Sequence, residues 1–159
     1  MSHHRGTAIY RCWVLIWTLV DTQGIAGVPP DSLQQLASAE AKWATTKPAA
    51  YEFRVEAACN GLIPPTPPGY EPPLIRVRGA RNTTEIDPST WSAKYDTVEK
   101  QFAFIRTAWN SKPVGMNVEY DQRLGHPIRV CVDPTRVTDD EFGFVVTDFR
   151  AIPDARPSP

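Results

Sequence analysis

Residues 118–149, VEYDQRLGHPIRVCVDPTRVTDDEFGFVVTDF, alternate apolar and polar side chains with period two on both sides of a turn. Val118 and Tyr120 alternate with Glu119 and Asp121, and Ile128, Val130 and Val132 alternate with Arg129, Cys131 and Asp133, the pattern of half-buried paired strands. Gly125 offers the positive φ of a tight reversal, and Pro127, which has no N–H to donate, belongs at the first position of its strand. The turn is therefore placed at 121–126. A second reversal precedes Phe142, where Asp139 or Asp140 can accept backbone N–H bonds and Gly143 can supply a bulge before a third strand.

Upstream, two helices alternate with strands. Asp31 can cap a helix, with Gln34 at the capping-box position and Leu33, Leu36, Ala37 and Trp43 or Ala44 approximating an apolar stripe, so a helix is expected over 31–44. Residues 51–59 then alternate Tyr51, Phe53, Val55, Ala57 and Cys59 against Glu52, Arg54, Glu56 and Ala58. The stretch 64–73, PPTPPGYEPP, has no hydrophobic period and reads as a stiff loop; a strand follows at 74–78 with Ile75 and Val77 inward. Asn82, Thr83 and Thr84 form a glycosylation sequon that reads here as a loop. In the second helix Asp96 is expected to cap, and Val98, Phe102, Ile105 and Trp109 form one continuous stripe. The Trp109 to Pro113 stretch echoes Trp43 to Pro48, which suggests two helix-then-hairpin halves.

The order α-β-β-α-β-β-β, with one apolar stripe per helix and one apolar face per strand, predicts an α+β two-layer sandwich: an antiparallel sheet of about five strands with two helices on one face. The 159 residues suffice for one domain, placed at 27–152, with a disordered tail at 153–159. The other sheet face would carry Glu52, Arg54, Glu56, Arg76, Arg78, Glu119, Asp121, Arg129 and Asp133, a mixed-charge solvated surface.

The segments YDQRLGHP, IRVCVD and DDEFGFVVTDF together resemble the signature of an uncharacterised bacterial family, domain of unknown function 6174, and AKWATTKPAAYEFRVEAAC is similar to that family's leading helix and first strand. The likeness extends over about 33–149. It implies an envelope or secreted protein, often lipid-anchored, and carries no assigned activity. Where many members have a Cys-x-Cys pair this chain has Cys59, Asn60 and Gly61, and where they have an aromatic before Pro it has His126.

Arg5 and Arg11 precede an apolar run at 13–20, too short to span a bilayer but long enough for the core of a signal peptide. Gly24 and Ala26 have the small-x-small spacing of a cleavage site, so residues 1–26 are expected to be removed, and Cys12 sits in no lipobox. The expected product is secreted or periplasmic, with no stable membrane anchor. It keeps 15 basic and 17 acidic residues, a balance that draws no nucleic acid. Two cysteines remain. Cys59 shares the face of Tyr51 and Phe53, Cys131 lies opposite Val130 and Val132, and a bridge between them needs a strand end or bulge; the alternative is two separate thiols.

No catalytic set can be written. After cleavage His126 would be the one histidine and reads as a solvated turn residue; no G-x-S-x-G elbow, phosphate loop or zinc spacing is present, and no cofactor or metal is expected. The expectation is a non-enzymatic binding module for an envelope or extracellular protein or small ligand. Its surface would be Arg54, Arg76 and Arg129 on the sheet, the turn of Tyr120, Asp121 and His126, or the acidic turn of Asp139, Asp140 and Glu141. The alternative is a carboxylate-dependent hydrolase or cation-binding protein built on that acidic turn.

Overall fold

The apolar stripes of both helices and the apolar faces of the strands meet on one side of a single sheet. The computed structural model describes residues 31–59 and 69–153. Their order is α1 (Ser32–Thr46), β1 (Ala50–Ala57), β2 (Ile75–Arg78), β3 (Arg81–Asn82), a 3-10 turn (Trp91–Tyr95), α2 (Val98–Asn110), β4 (Gly115–Tyr120), β5 (Pro127–Asp133) and β6 (Phe142–Ala151). The sheet order is β3-β2-β1-β6-β5-β4, antiparallel throughout. The α+β class and the order of helices and long strands agree with the sequence. The strand count rises to six, because a two-residue β3 folds back on β2, too short to show any alternation. The expected signal segment, most of the tail and the first half of the Pro-rich loop lie outside the described residues.

The helix ends agree with expectation in part. Asp31 stands at the N-cap of α1 as expected, but its side chain makes no capping bond; its Oδ2 accepts from Gln35 Nε2 at 2.6 Å, and α1 continues to Thr46. It ends there because Pro48 holds Lys47 in extended backbone, φ −57° and ψ 133°. Leu36, Ala39 and Trp43 form its buried stripe, while Leu33, Ala37 and Ala44 face outward. At α2 the cap is Thr97, whose Oγ1 accepts from the Lys100 N–H at 3.2 Å; Asp96 instead pairs with Lys100 and accepts from Asn82 Nδ2. Val98, Phe102 and Ile105 are buried as predicted, and Trp109 is half-buried.

Glu99 joins the layers. Its carboxylate accepts from Trp43 Nε1 at 3.1 Å, pairs with Lys47 at 3.4 Å and stands 3.5 Å from the hydroxyl of buried Tyr51, whose oxygen accepts from the Val98 N–H. Burial first, and then the Glu99 charge, raise the Tyr51 phenol far above its ordinary value.

The two helix-then-hairpin halves are not equivalent. β1, which follows α1, lies in the middle of the sheet, and β4, which follows α2, lies at its edge. The central β1–β6 pair contains a bulge: Glu52 faces Arg150 and Arg54 faces Thr147, so β6 has one extra residue, at Asp148 with φ 53°. A one-residue slip exchanges the two faces of a strand. Phe144 and Val146 point to the core before the bulge, and Phe149 does so after it, against Tyr51, Phe53 and Trp43.

Cys59 and Cys131 are joined by a disulfide, with Cα atoms 5.7 Å apart. β1 has ended at Ala57, and Cys59 takes φ 67°, which turns the chain out of the strand so that its sulfur reaches the open face of β5. Gly143 of β6 faces Cys131 in register, and its carbonyl accepts from the Ala58 N–H at 3.1 Å.

Candidate functional site

On the open sheet face Arg54 and Arg76 are held in ion pairs. Arg54 is held by Asp148 at 3.1 Å, by Glu71 at 3.4 Å and by the Pro72 carbonyl, which fastens the end of the Pro-rich loop over the sheet. Arg76, at 2.9 Å, and Arg150 share the buried carboxylate of Glu52. Their guanidinium groups hold the Glu52 carboxyl below its ordinary value. Arg54 and Arg76, which the sequence singles out as ligand-binding groups, are each ion-paired within the molecule. Arg129 is exposed on this face, in register with Glu119 of β4.

The acidic turn lies at the end of the β5–β6 hairpin away from the 121–126 loop. Asp140 accepts from the Thr135 hydroxyl, and Asp139 takes φ 66° at the reversal before Glu141. Among the described residues no three His, Cys, Asp or Glu side chains gather where one ion could bind them.

The 121–126 loop is tightly built. Asp121 N–H donates to the His126 carbonyl at 2.8 Å and Gly125 N–H to the Asp121 carbonyl at 2.9 Å, while Asp121 Oδ1 accepts from the N–H groups of Arg123 and Leu124 at 3.0 and 2.6 Å. Burial alone would raise the Asp121 carboxyl; the two donated N–H bonds, with the neighbouring His126 and Arg123, bring it below its ordinary value. The loop lies directly on α1. A Cβ at Gly125, φ 85°, would stand 2.5 Å from the Ala39 carbonyl oxygen, so only glycine permits the approach. From α1, Lys42 Nζ donates to the Gln122 carbonyl at 2.8 Å and Thr46 Oγ1 to the Leu124 carbonyl at 3.0 Å.

His126 departs most from expectation. It is not a solvated turn residue: it is 5% exposed, stacked on Phe149 with ring centroids 4.0 Å apart, and the edge of Trp43 closes over it. The bulge at Asp148 is what delivers Phe149 to that position.

Beside this loop runs an open groove of about 540 Å³. Gln35, Ser38 and Lys42 of α1 form one wall; Val118 and Tyr120 of β4 with Ile128 of β5 form the floor. Its size is that of a ligand cleft. One long side is the outer edge of β4, which among the described residues pairs with β5 alone, so a row of main-chain donors and acceptors borders the groove. Ser38 makes no hydrogen bond to any described carboxylate or imidazole, and the groove presents no nucleophile joined to a base. Of the predicted residues, Tyr120 and Asp121 line it and His126 lies beneath its loop wall; Arg54, Arg76 and Arg129 are on the opposite face, and the acidic turn is at the other end.

The family model for the family of unknown function (DUF6174) matches residues 35–151. The chain belongs to this family. The DUF6174 match begins at Gln35, on the groove wall of α1, and closes at Ala151, the last residue of β6, so it takes in the whole sheet, α2, most of α1 and the groove. No curated protein and no solved structure matches the chain.

Sequence reasoning missed the groove wall. Gln35, Ser38 and Lys42 repeat at spacings of three and four, a polar stripe one position ahead of the buried Leu36, Ala39 and Trp43. That signal marks a helix flank, but nothing in the chain upstream of β4 says which strand lies beneath it.

Proposed function

We propose that the chain is a non-enzymatic binding module, exported from a bacterial cytoplasm, that takes an extended segment of an envelope or extracellular polypeptide as an added strand on β4. The observation that carries this reading is the edge of β4, unpaired among the described residues, running along the groove beside α1. A strand added there would gain main-chain hydrogen bonds from the edge, and every second side chain would fall on the floor of Val118, Tyr120 and Ile128. β3, at the other edge of the sheet, has two residues and offers no comparable length. The Cys59–Cys131 disulfide is of the kind that persists in oxidising compartments, which supports export together with the apolar run at 13–20.

The test is selection of extended peptides on the full chain, with the bound site mapped by backbone amide shifts. Binders are expected to move Val118, Tyr120 and Lys42, to be lost in Ser38→Trp, which fills the groove from an exposed position, and to survive Arg129→Glu. Binders that map to the open sheet face or to 139–141, or that ignore Ser38→Trp, would sink the reading.

A further inference from the structure

We infer that His126 is a pH-sensitive latch: its neutral ring holds the 121–126 loop against α1, and protonation releases the loop and with it one wall of the groove. The inference names a regulation of the groove and rests on the binding reading only for its consequence, since the latch itself is a property of the unliganded chain.

The geometry fixes the tautomer of the neutral ring. Nδ1 lies 3.0 Å from the Pro127 carbonyl, which can only accept, so Nδ1 carries the proton. Protonation would add an N–H at Nε2, which makes no hydrogen bond to a described residue. The surroundings come from four elements. β6 supplies the face of Phe149, α1 the edge of Trp43, β1 the ring of Tyr51 behind them, and the loop itself Asp121 and Arg123. The one cation α1 brings to this loop, Lys42, is bonded to the Gln122 carbonyl. Loss of water and the Arg123 charge oppose an imidazolium; the Pro127 hydrogen bond, Asp121 and the π face of Phe149 favour it. Burial outweighs the rest and holds the ring below the ordinary histidine value.

Release follows from how the loop is fastened. Between Asp121 and Pro127 the chain is held to α1 by the Lys42 and Thr46 hydrogen bonds, by the Gly125–Ala39 approach and by the buried side chains of Leu124 and His126. A charged ring seeking water pulls at the residue that joins this loop to β5. The groove wall at Asp121 and Gly125 moves with it.

The experiment is a nuclear magnetic resonance titration of the full chain between about pH 8 and pH 5, the span in which histidine changes charge. The expected result is that the amides of Leu124 and Gly125 and the indole of Trp43 shift or broaden with the midpoint of His126, below that of a solvated imidazole. His126→Phe, which keeps the stack on Phe149, should abolish that response. Should that variant fail to fold, Arg123→Ala carries the test, because removing the repelling charge moves the midpoint upward. A ring that titrates while the loop amides stay still, a ring that never titrates, or an unchanged response in His126→Phe overturns the latch. None of those results touches the Ser38→Trp test, so failure of the latch and failure of the groove are distinguishable.

Discussion

The Cα atoms of Cys59 and Cys131 are 5.7 Å apart although β1 and β5 are not neighbours, because β6 runs between them. In the sheet plane two strand intervals would separate them by about 10 Å. Cys59 closes that distance by leaving the plane after β1 ends. The bridge spans a sequence separation of 72 residues, so its loss should cost about 2–5 kcal/mol. Cys131→Ser is expected to lower the melting temperature, and reductant should lower the wild type to a similar value while leaving Cys131→Ser unchanged. A wild-type melt indifferent to reductant would show that the bridge carries no stability.

Gly143 is required by the strand beside it. A Cβ there would stand 1.8 Å from the Val130 carbonyl oxygen, a main-chain atom that cannot rotate away. Gly143→Ala is expected to cost about 3 kcal/mol or more, the upper end of overpacking in a filled site. Gly79→Ala is the control. Its φ is positive, at 63°, but nothing lies within 4 Å, so it should lose only the strain of that conformation. Equal losses in urea unfolding would refute the crowding argument.

The bulge at Asp148 sets which face of β6 carries Phe149. Phe149→Ala, at a half-buried ring touching Trp43, Tyr51, Phe53 and His126, should cost about 3 kcal/mol, the low end for such a truncation. Deleting Asp148 removes the extra residue. Phe149 then follows Thr147 directly and keeps its inward place, with Arg150 still opposite Glu52, so a cooperative unfolding transition is expected to remain. Loss of that transition in the deletion variant would refute the assignment of the bulge.

Glu52 links stability to acid. Hydrogen bonds from Arg76 and then Arg150 depress its carboxyl, so the folded state holds the proton less tightly than the unfolded chain does. The contribution is fully present above the ordinary glutamate value and is lost as pH falls through the lowered one. His126 acts with the same sign higher on the scale, its stability present above the ordinary histidine value and lost on acidification. Melting curves over this range should therefore show two losses. Glu52→Gln should flatten the lower one only and His126→Phe the upper one only; an unchanged profile in either variant would remove that residue's part.

Much of the architecture was legible before folding. The α2 stripe of Val98, Phe102 and Ile105 and the alternation through Val130 and Val132 reach the core as their periods require, since side-chain direction in helices and strands is a local property. The caps were misread by one residue at α2, where Asp96 and Thr97 are both competent and Asp96 is drawn off by Lys100 and Asn82. The candidate site was legible in fragments: Tyr120 and Asp121 were singled out as turn chemistry, while Gln35, Ser38 and Lys42 looked like an ordinary solvated flank.

What the sequence by itself determined was the set of elements, their apolar faces and the α+β class, because periodicity is written in neighbouring residues. Only the tertiary structure decided that β1 and β6 pair at the centre and leave β4 free, that Asp148 bulges and turns Phe149 beneath His126, and that α1 lies on the 121–126 loop. Those outcomes depend on contacts between residues some 80 to 100 positions apart, Lys42 with Gln122 and Glu52 with Arg150 among them. Such contacts leave no local period in a single chain, and the burial of His126 and the groove beside it are built from them.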